Sequence, residues 1–241
     1  MSFVINPYRF AAAGGVQWDG FGSASRSSDG STFALVPDFA HSLTNLTVMC
    51  WVKTSTGVDA FDTLMAHWNV GISQRSWIIQ LNSGADNMLV GISANGSSNA
   101  KIYETTTDVV GDETWHHCAF SFSNDDLKLF VDGVESTVTK TTDNTCTSLH
   151  NSTDKISFFC RKTGSTSDNF GDLVLDGNLA DCRIYDATLS AAQILSIKNG
   201  YHNATNLVGW WFGDVNSIDD LISTNDIDYN LTAYSTDGPA D

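Results

Sequence analysis

The chain has 241 residues, 28 acidic against 12 basic, for a formal charge of −16. No stretch gathers Lys and Arg into a stripe that would neutralise phosphates, and so acidic a surface is repelled by anionic lipid headgroups; nucleic-acid and membrane-surface partners are therefore not expected. A hydrophobic share of 41% with only 17% charged residues is the composition of a chain with a large core rather than of a disordered one, and all-β sandwiches of roughly 200–250 residues commonly form one domain.

In chain order, residues 1–15 read as an arm and 16–241 as the globular unit. The arm is Phe3-Val4-Ile5-Asn6-Pro7-Tyr8-Arg9-Phe10, followed by the small residues Ala11 to Gly15. It lacks the basic start, the long apolar stretch and the small-residue cleavage site of a secretory signal. Apolar residues left exposed mark an interaction surface, so Phe3, Val4, Ile5, Pro7, Tyr8, Arg9 and Phe10 are candidate docking residues. The competing reading is a first strand tucked into the protein's own sheet. No run of about 18 apolar residues follows, so no helix is expected to cross a membrane.

Short apolar runs then alternate with clusters of Gly, Ser, Asn and Asp, among them Trp51-Val52, Ser76 to Leu81, Met88 to Ile92 and Cys118 to Phe122. Many short strands separated by turn residues predict a sandwich or barrel. Residues 117–138 read as a meander, with Ser123-Asn124-Asp125-Asp126 and Asp132-Gly133 as turns. The one helix with good end signals runs from about 191 to 199: Ser190-Ala191-Ala192-Gln193 is a capping box and Asn199-Gly200 a stop.

The five cysteines, Cys50, Cys118, Cys146, Cys160 and Cys182, form no C-x-x-C pair; at least three sit in strand-like runs where a thiol fills a small apolar position. Reduced, buried thiols and folding in a reducing cytoplasm are the expectation. Five glycosylation sequons, beginning at Asn45, Asn95, Asn151, Asn203 and Asn230, are then idle.

Three segments resemble the laminin-G-like, concanavalin A-like jelly-roll family, which includes pentraxin-like modules. The first is Trp115-His116-His117-Cys118 running on to Leu127-Lys128-Leu129-Phe130-Val131-Asp132-Gly133-Val134. The second is Asp176 to Ser190, with Leu179-Ala180-Asp181-Cys182-Arg183-Ile184-Tyr185 at its centre. The third is Val16-Gln17-Trp18-Asp19-Gly20 with Leu46 to Lys53. The resemblance implies an all-β, two-sheet antiparallel jelly-roll sandwich with one short helix. Where the family's pattern has Asp-Glu, this chain has Ala180-Asp181, which puts in doubt a loop-holding role for those carboxylates.

A fold of this kind hosts lectins, hydrolases and structural proteins, so chemistry has to be read from particular residues. Retaining glycosidases need two carboxylates about 5 Å apart. Glu104, Glu113 and Glu135 are far apart in sequence and no Glu-x-Asp-x-x-Glu run exists, so catalysis is not expected. His116 and His117 are strand neighbours that point to opposite faces and cannot share a ligand sphere. No cofactor is expected; calcium is the candidate ion, at Asp168, Asn169 and Asp172, because relatives bind it through loop oxygens. Trp68 and Asn69 are the candidate glycan contacts, and at least one of Trp210 and Trp211 is expected in the core.

The arm also resembles the I-N-P-Y-x-F openings of some tailed-phage structural proteins. The leading expectation is accordingly a non-enzymatic virion protein, a capsid decoration or tail-associated protein assembled in the host cytoplasm. Its partners would be capsid or tail proteins, bound as a symmetric homo-oligomer. The alternative is a carbohydrate-binding lectin or adhesion module.

Overall fold

The computed structural model describes residues 16–17, 25–31, 33–54, 61–82, 87–108, 113–164, 173–211, 229–230 and 233–235. The arm residues Phe3 to Phe10 and the calcium candidates Asp168, Asn169 and Asp172 lie outside them.

The strands are β1 Val16–Gln17, β2 Ser25–Asp29, β3 Ala34–Val36, β4 Asn45–Thr54, β5 Thr63–Asn69, β6 Gln74–Asn82, β7 Asn87–Gly96, β8 Lys101–Asp108, β9 His116–Ser123, β10 Asp126–Val131, β11 Val134–Glu135, β12 Val138–Asp143, β13 Ile156–Phe158 and β14 Asp176–Tyr185. Helix α1, Ala191–Lys198, precedes β15 Tyr201–His202, β16 Leu207–Trp211, β17 Tyr229–Asn230 and β18 Ala233–Ser235. Two antiparallel sheets face each other. The first has the order β11-β10-β9-β4-β14-β2-β18, with β16 also on β14; the second runs β12-β8-β7-β6-β5-β13-β3-β17.

Alternation of side chains builds the core. Leu46, Val48, Cys50 and Val52 of β4 and Cys118, Phe120 and Phe122 of β9 meet Trp77, Ile79 and Leu81 of β6 and Val90 and Ile92 of β7. The intervening Met49, Ala119, Phe130 and Tyr185 are buried too, because Ile194 and Ile197 of α1 lie over the outer face of the first sheet. Two-sided burial is why β4 reads as a nearly continuous apolar run. The helix starts as its capping box dictates: Ser190 Oγ accepts from the Gln193 backbone N–H, and Gln193 Oε1 accepts from the Ser190 N–H at 2.9 Å.

The meander is equally local in origin. Asn124 and Asp125 (φ 43° and 81°) and Asp132 and Gly133 (φ 50° and 80°) make two-residue turns with both central residues left-handed, the geometry that matches strand twist. All five cysteines are free and buried, and Cys50 sits directly opposite Cys118 across β4 and β9. Trp211 is in the core, and Trp210 is buried as well.

Asp181 settles the question left by the family pattern. A bulge in β14 at Asp181 (φ 49°) interrupts the ladder between Ala180 and Arg183. The Asp181 carboxylate accepts from Arg183 Nε and from Trp210 Nε1, each at 2.7 Å, and the guanidinium lies 4.6 Å from the Trp210 ring centroid. The carboxylate therefore holds a buried cation and an indole, binding β14 to β16.

Candidate functional site

The outer face of the second sheet carries no helix among the described residues. Its outward positions form two rows across the strands: Ala66, Ile78, Gly91 and Ile102 in one, Gln80, Leu89 and Glu104 in the other. Ala66, Ile78 and Leu89 are apolar where an ordinary solvated face has polar residues, and neighbouring side chains already bury most of their surface. Trp68, raised beside Arg75 by a bulge in β5, packs on Ala66 and Ile78. The result is a cleft of about 430 Å³, with Trp68, Ile78, Leu89, Gly91 and Ile102 as apolar lining and Arg75, Gln80, Asn99, Glu104, Thr141 and Arg161 as polar lining.

Gly91 gives the cleft its depth. A β-carbon there would meet Ile78 Cγ2 at 3.1 Å and the Trp68 ring at 3.6 Å, so any larger residue would rise into the cavity. Trp68 itself is only 5% exposed and serves as a wall, with the Arg75 guanidinium carbon 5.9 Å from its ring centroid. Two buried polar atoms of lining residues, the donor Arg75 Nε and the acceptor Asn99 Oδ1, have no hydrogen-bond partner among the described residues. Unpaired buried polar atoms cost free energy unless a ligand or water completes them.

Of the two residues expected to touch a glycan, the structure brings Trp68 to the cleft and not Asn69. Asn69 is fully buried; its amide donates to Asp154 Oδ2 at 2.7 Å and to the Gly164 carbonyl at 3.1 Å, and its oxygen accepts from Gly71 N–H at 2.9 Å. Asp154 also pairs with buried Lys162, so this network pins the 152–164 segment to β5. Arg75, Asn99 and Arg161 were not anticipated, because only strand register places them together.

His116 Nδ1 lies 2.9 Å from Asp132 Oδ2, whereas His117 is buried with both ring nitrogens unpaired among the described residues. Burial, reinforced by Arg183, pushes His117 down to about 3. One group among the described residues has the donors for a metal: Asp38 and His41 on the loop after β3, and His67 on β5. Burial, reinforced by His41, likewise pushes His67 down to about 3.

Fold and cleft together define a two-sheet jelly-roll with a recess on one sheet face. The chain belongs to the Concanavalin A-like lectin/glucanases superfamily, whose family model matches residues 28–195. Among solved structures it is similar to a candidate carbohydrate binding protein from Bacteroides ovatus ATCC 8483, at 13% identity and a TM-score of 0.67, covering 90% of this chain. The chain spans 60% of that protein's length. It is also similar to a native heptameric SAP-like pentraxin from Limulus polyphemus, at 15% identity and a TM-score of 0.58, covering 90% of this chain and 96% of the pentraxin. No curated protein sequence matches the chain.

Proposed function

We propose that the protein is a carbohydrate-binding module that takes a saccharide in the cleft on the second sheet. The carrying observation is the cleft itself, in which the apolar Trp68, Ile78 and Leu89 are edged by the polar side chains of Arg75, Gln80, Asn99, Glu104 and Thr141. Saccharide hydroxyls suit the polar side chains of the lining, and the C–H faces of a sugar ring suit Ile78, Leu89 and the Trp68 edge. Arg75 lies in the lining of this cleft, in a chain of net charge −16. Its guanidinium favours a saccharide carrying a carboxylate or sulfate group.

Binding rather than hydrolysis fits the lining, where Glu104 is the one carboxylate among the described residues and glycoside cleavage takes two. Sequence alone ranks a virion decoration role first, on residues 1–10. Those residues lie outside the described ones, and the family match and the Bacteroides relative favour the lectin reading over it. A symmetric homo-oligomer, the state of the pentraxin relative, would raise avidity for a repeated glycan.

The test is a glycan array probed with the full chain and with Arg75→Gln. Selective binding of acidic glycans, weakened at least severalfold by the substitution, supports the reading. Absence of any glycan binding, or binding indifferent to Arg75, counts against it.

A further inference from the structure

We propose that Asp38, His41 and His67 form a binding site for a zinc-type transition-metal dication, separate from the cleft. One ligand atom from each of the three lies within 4.8 Å of the others. Two imidazoles and one carboxylate are a donor set for zinc, cobalt or nickel rather than for calcium, which takes oxygens.

The tautomer of His41 is the strongest feature. Its Nδ1 lies 3.0 Å from the Phe39 carbonyl oxygen, which can only accept, so Nδ1 carries the proton. The lone pair is thereby left on Nε2, a buried atom with no partner among the described residues. A backbone carbonyl that fixes one ring nitrogen as donor and frees the other is the usual support of a metal-binding histidine.

His67, fully buried, supplies the rigid side of the site, and its Nε2 stands 3.5 Å from Asp38 Oδ1. Ligand atoms around a tetrahedral ion at about 2.0–2.1 Å are separated by roughly 3.4 Å, so this pair already has the required spacing. His67 Nε2 is also 2.8 Å from the Asp154 carbonyl oxygen. Coordination would replace that hydrogen bond, moving the ring proton to His67 Nδ1, which has no partner among the described residues. The carbonyl would remain beside the ion as an oxygen donor. Asp38 and His41 sit on the loop between β3 and β4, which can close the remaining distance, and Asp38, with a side chain 33% exposed, opens the site to solvent. The neighbouring Lys162 is paired with Asp154, so it does not present an uncompensated positive charge.

Cobalt(II) is the probe, because its visible absorption reports coordination by nitrogen and oxygen directly. Titration of the metal-stripped full chain should give one equivalent bound with visible bands, and zinc should displace it. His41→Ala and Asp38→Asn should each weaken binding at least tenfold while the protein stays folded by circular dichroism. His116→Ala, which alters a histidine on the other sheet, should leave it unchanged. Absence of stoichiometric binding by the unaltered protein, or undiminished binding by both His41→Ala and Asp38→Asn, overturns the proposal.

Discussion

Replacing His117 with Phe removes a titrating group from beneath α1 while keeping a ring against Trp51, whose centroid is 5.4 Å away. In the folded protein the imidazole is fully buried and stays neutral down to about 3. In the unfolded chain it protonates near the ordinary histidine value of about 6.5. Between those values the unfolded state binds more protons, so stability is fully present above about 6.5 and is lost as pH falls toward 3. Each pH unit in that window is worth about 1.4 kcal/mol, so going from pH 7.5 to 5.0 costs the unaltered protein about 2 kcal/mol through this one residue. Any folded value at or below about 4 gives the same figure, since the group is then neutral in the native state throughout the range.

The assay is urea unfolding of both proteins at the two pH values. The packing effect of Phe is common to both conditions and cancels, so the stability of His117→Phe relative to the unaltered protein should rise by about 2 kcal/mol from pH 7.5 to pH 5.0. A difference that does not change with pH would mean that His117 titrates in the fold as it does in the unfolded chain, and would refute the reasoning.

Thiol titration under denaturing, non-reducing conditions should count five free cysteines, and titration of the folded protein almost none, since all five are buried; a denatured count of three or one would contradict the structure. Arg183→Met leaves the buried Asp181 carboxylate without its cation and should cost about 3–5 kcal/mol in urea unfolding, with part of the loss recovered in the double variant Asp181→Leu/Arg183→Met. A loss under about 1 kcal/mol would mean that the pair is solvated. Ser190→Ala removes the oxygen that accepts from the first turn of α1 and should cost about 1 kcal/mol by the same measurement, against none if the helix start is held by packing alone.

What sequence reveals here is what local physics decides. The capping box places α1 at Ala191–Lys198, against an expected 191–199, and the Asn124-Asp125 and Asp132-Gly133 turns place β9 to β11. Cys50, Cys118 and Cys182 were legible as core positions because apolar neighbours surround them. The cleft was not legible in the same way. Its floor is drawn from four strands, and the rows linking Ile78 to Gly91 and Leu89 to Glu104 exist only once pairing register is known. Trp68 and Asn69 looked like one site because they are adjacent. On a strand adjacency separates side chains: Trp68 lines the cleft and Asn69 anchors the Asp154 network. His41 and His67 share no motif spacing either, and meet only because the β3–β4 loop folds over β5.

The central claim, that the cleft is the saccharide site, is tested most directly by plugging it. Gly91→Val adds bulk against Ile78 and Trp68 without touching a polar group of the lining. Calorimetric titration with the best glycan from the array should then show affinity reduced about tenfold or more, a loss of at least about 1.4 kcal/mol, in a protein whose unfolding midpoint stays close to that of the unaltered chain. Equal affinity in a folded Gly91→Val protein would contradict the account and place the saccharide elsewhere on the molecule.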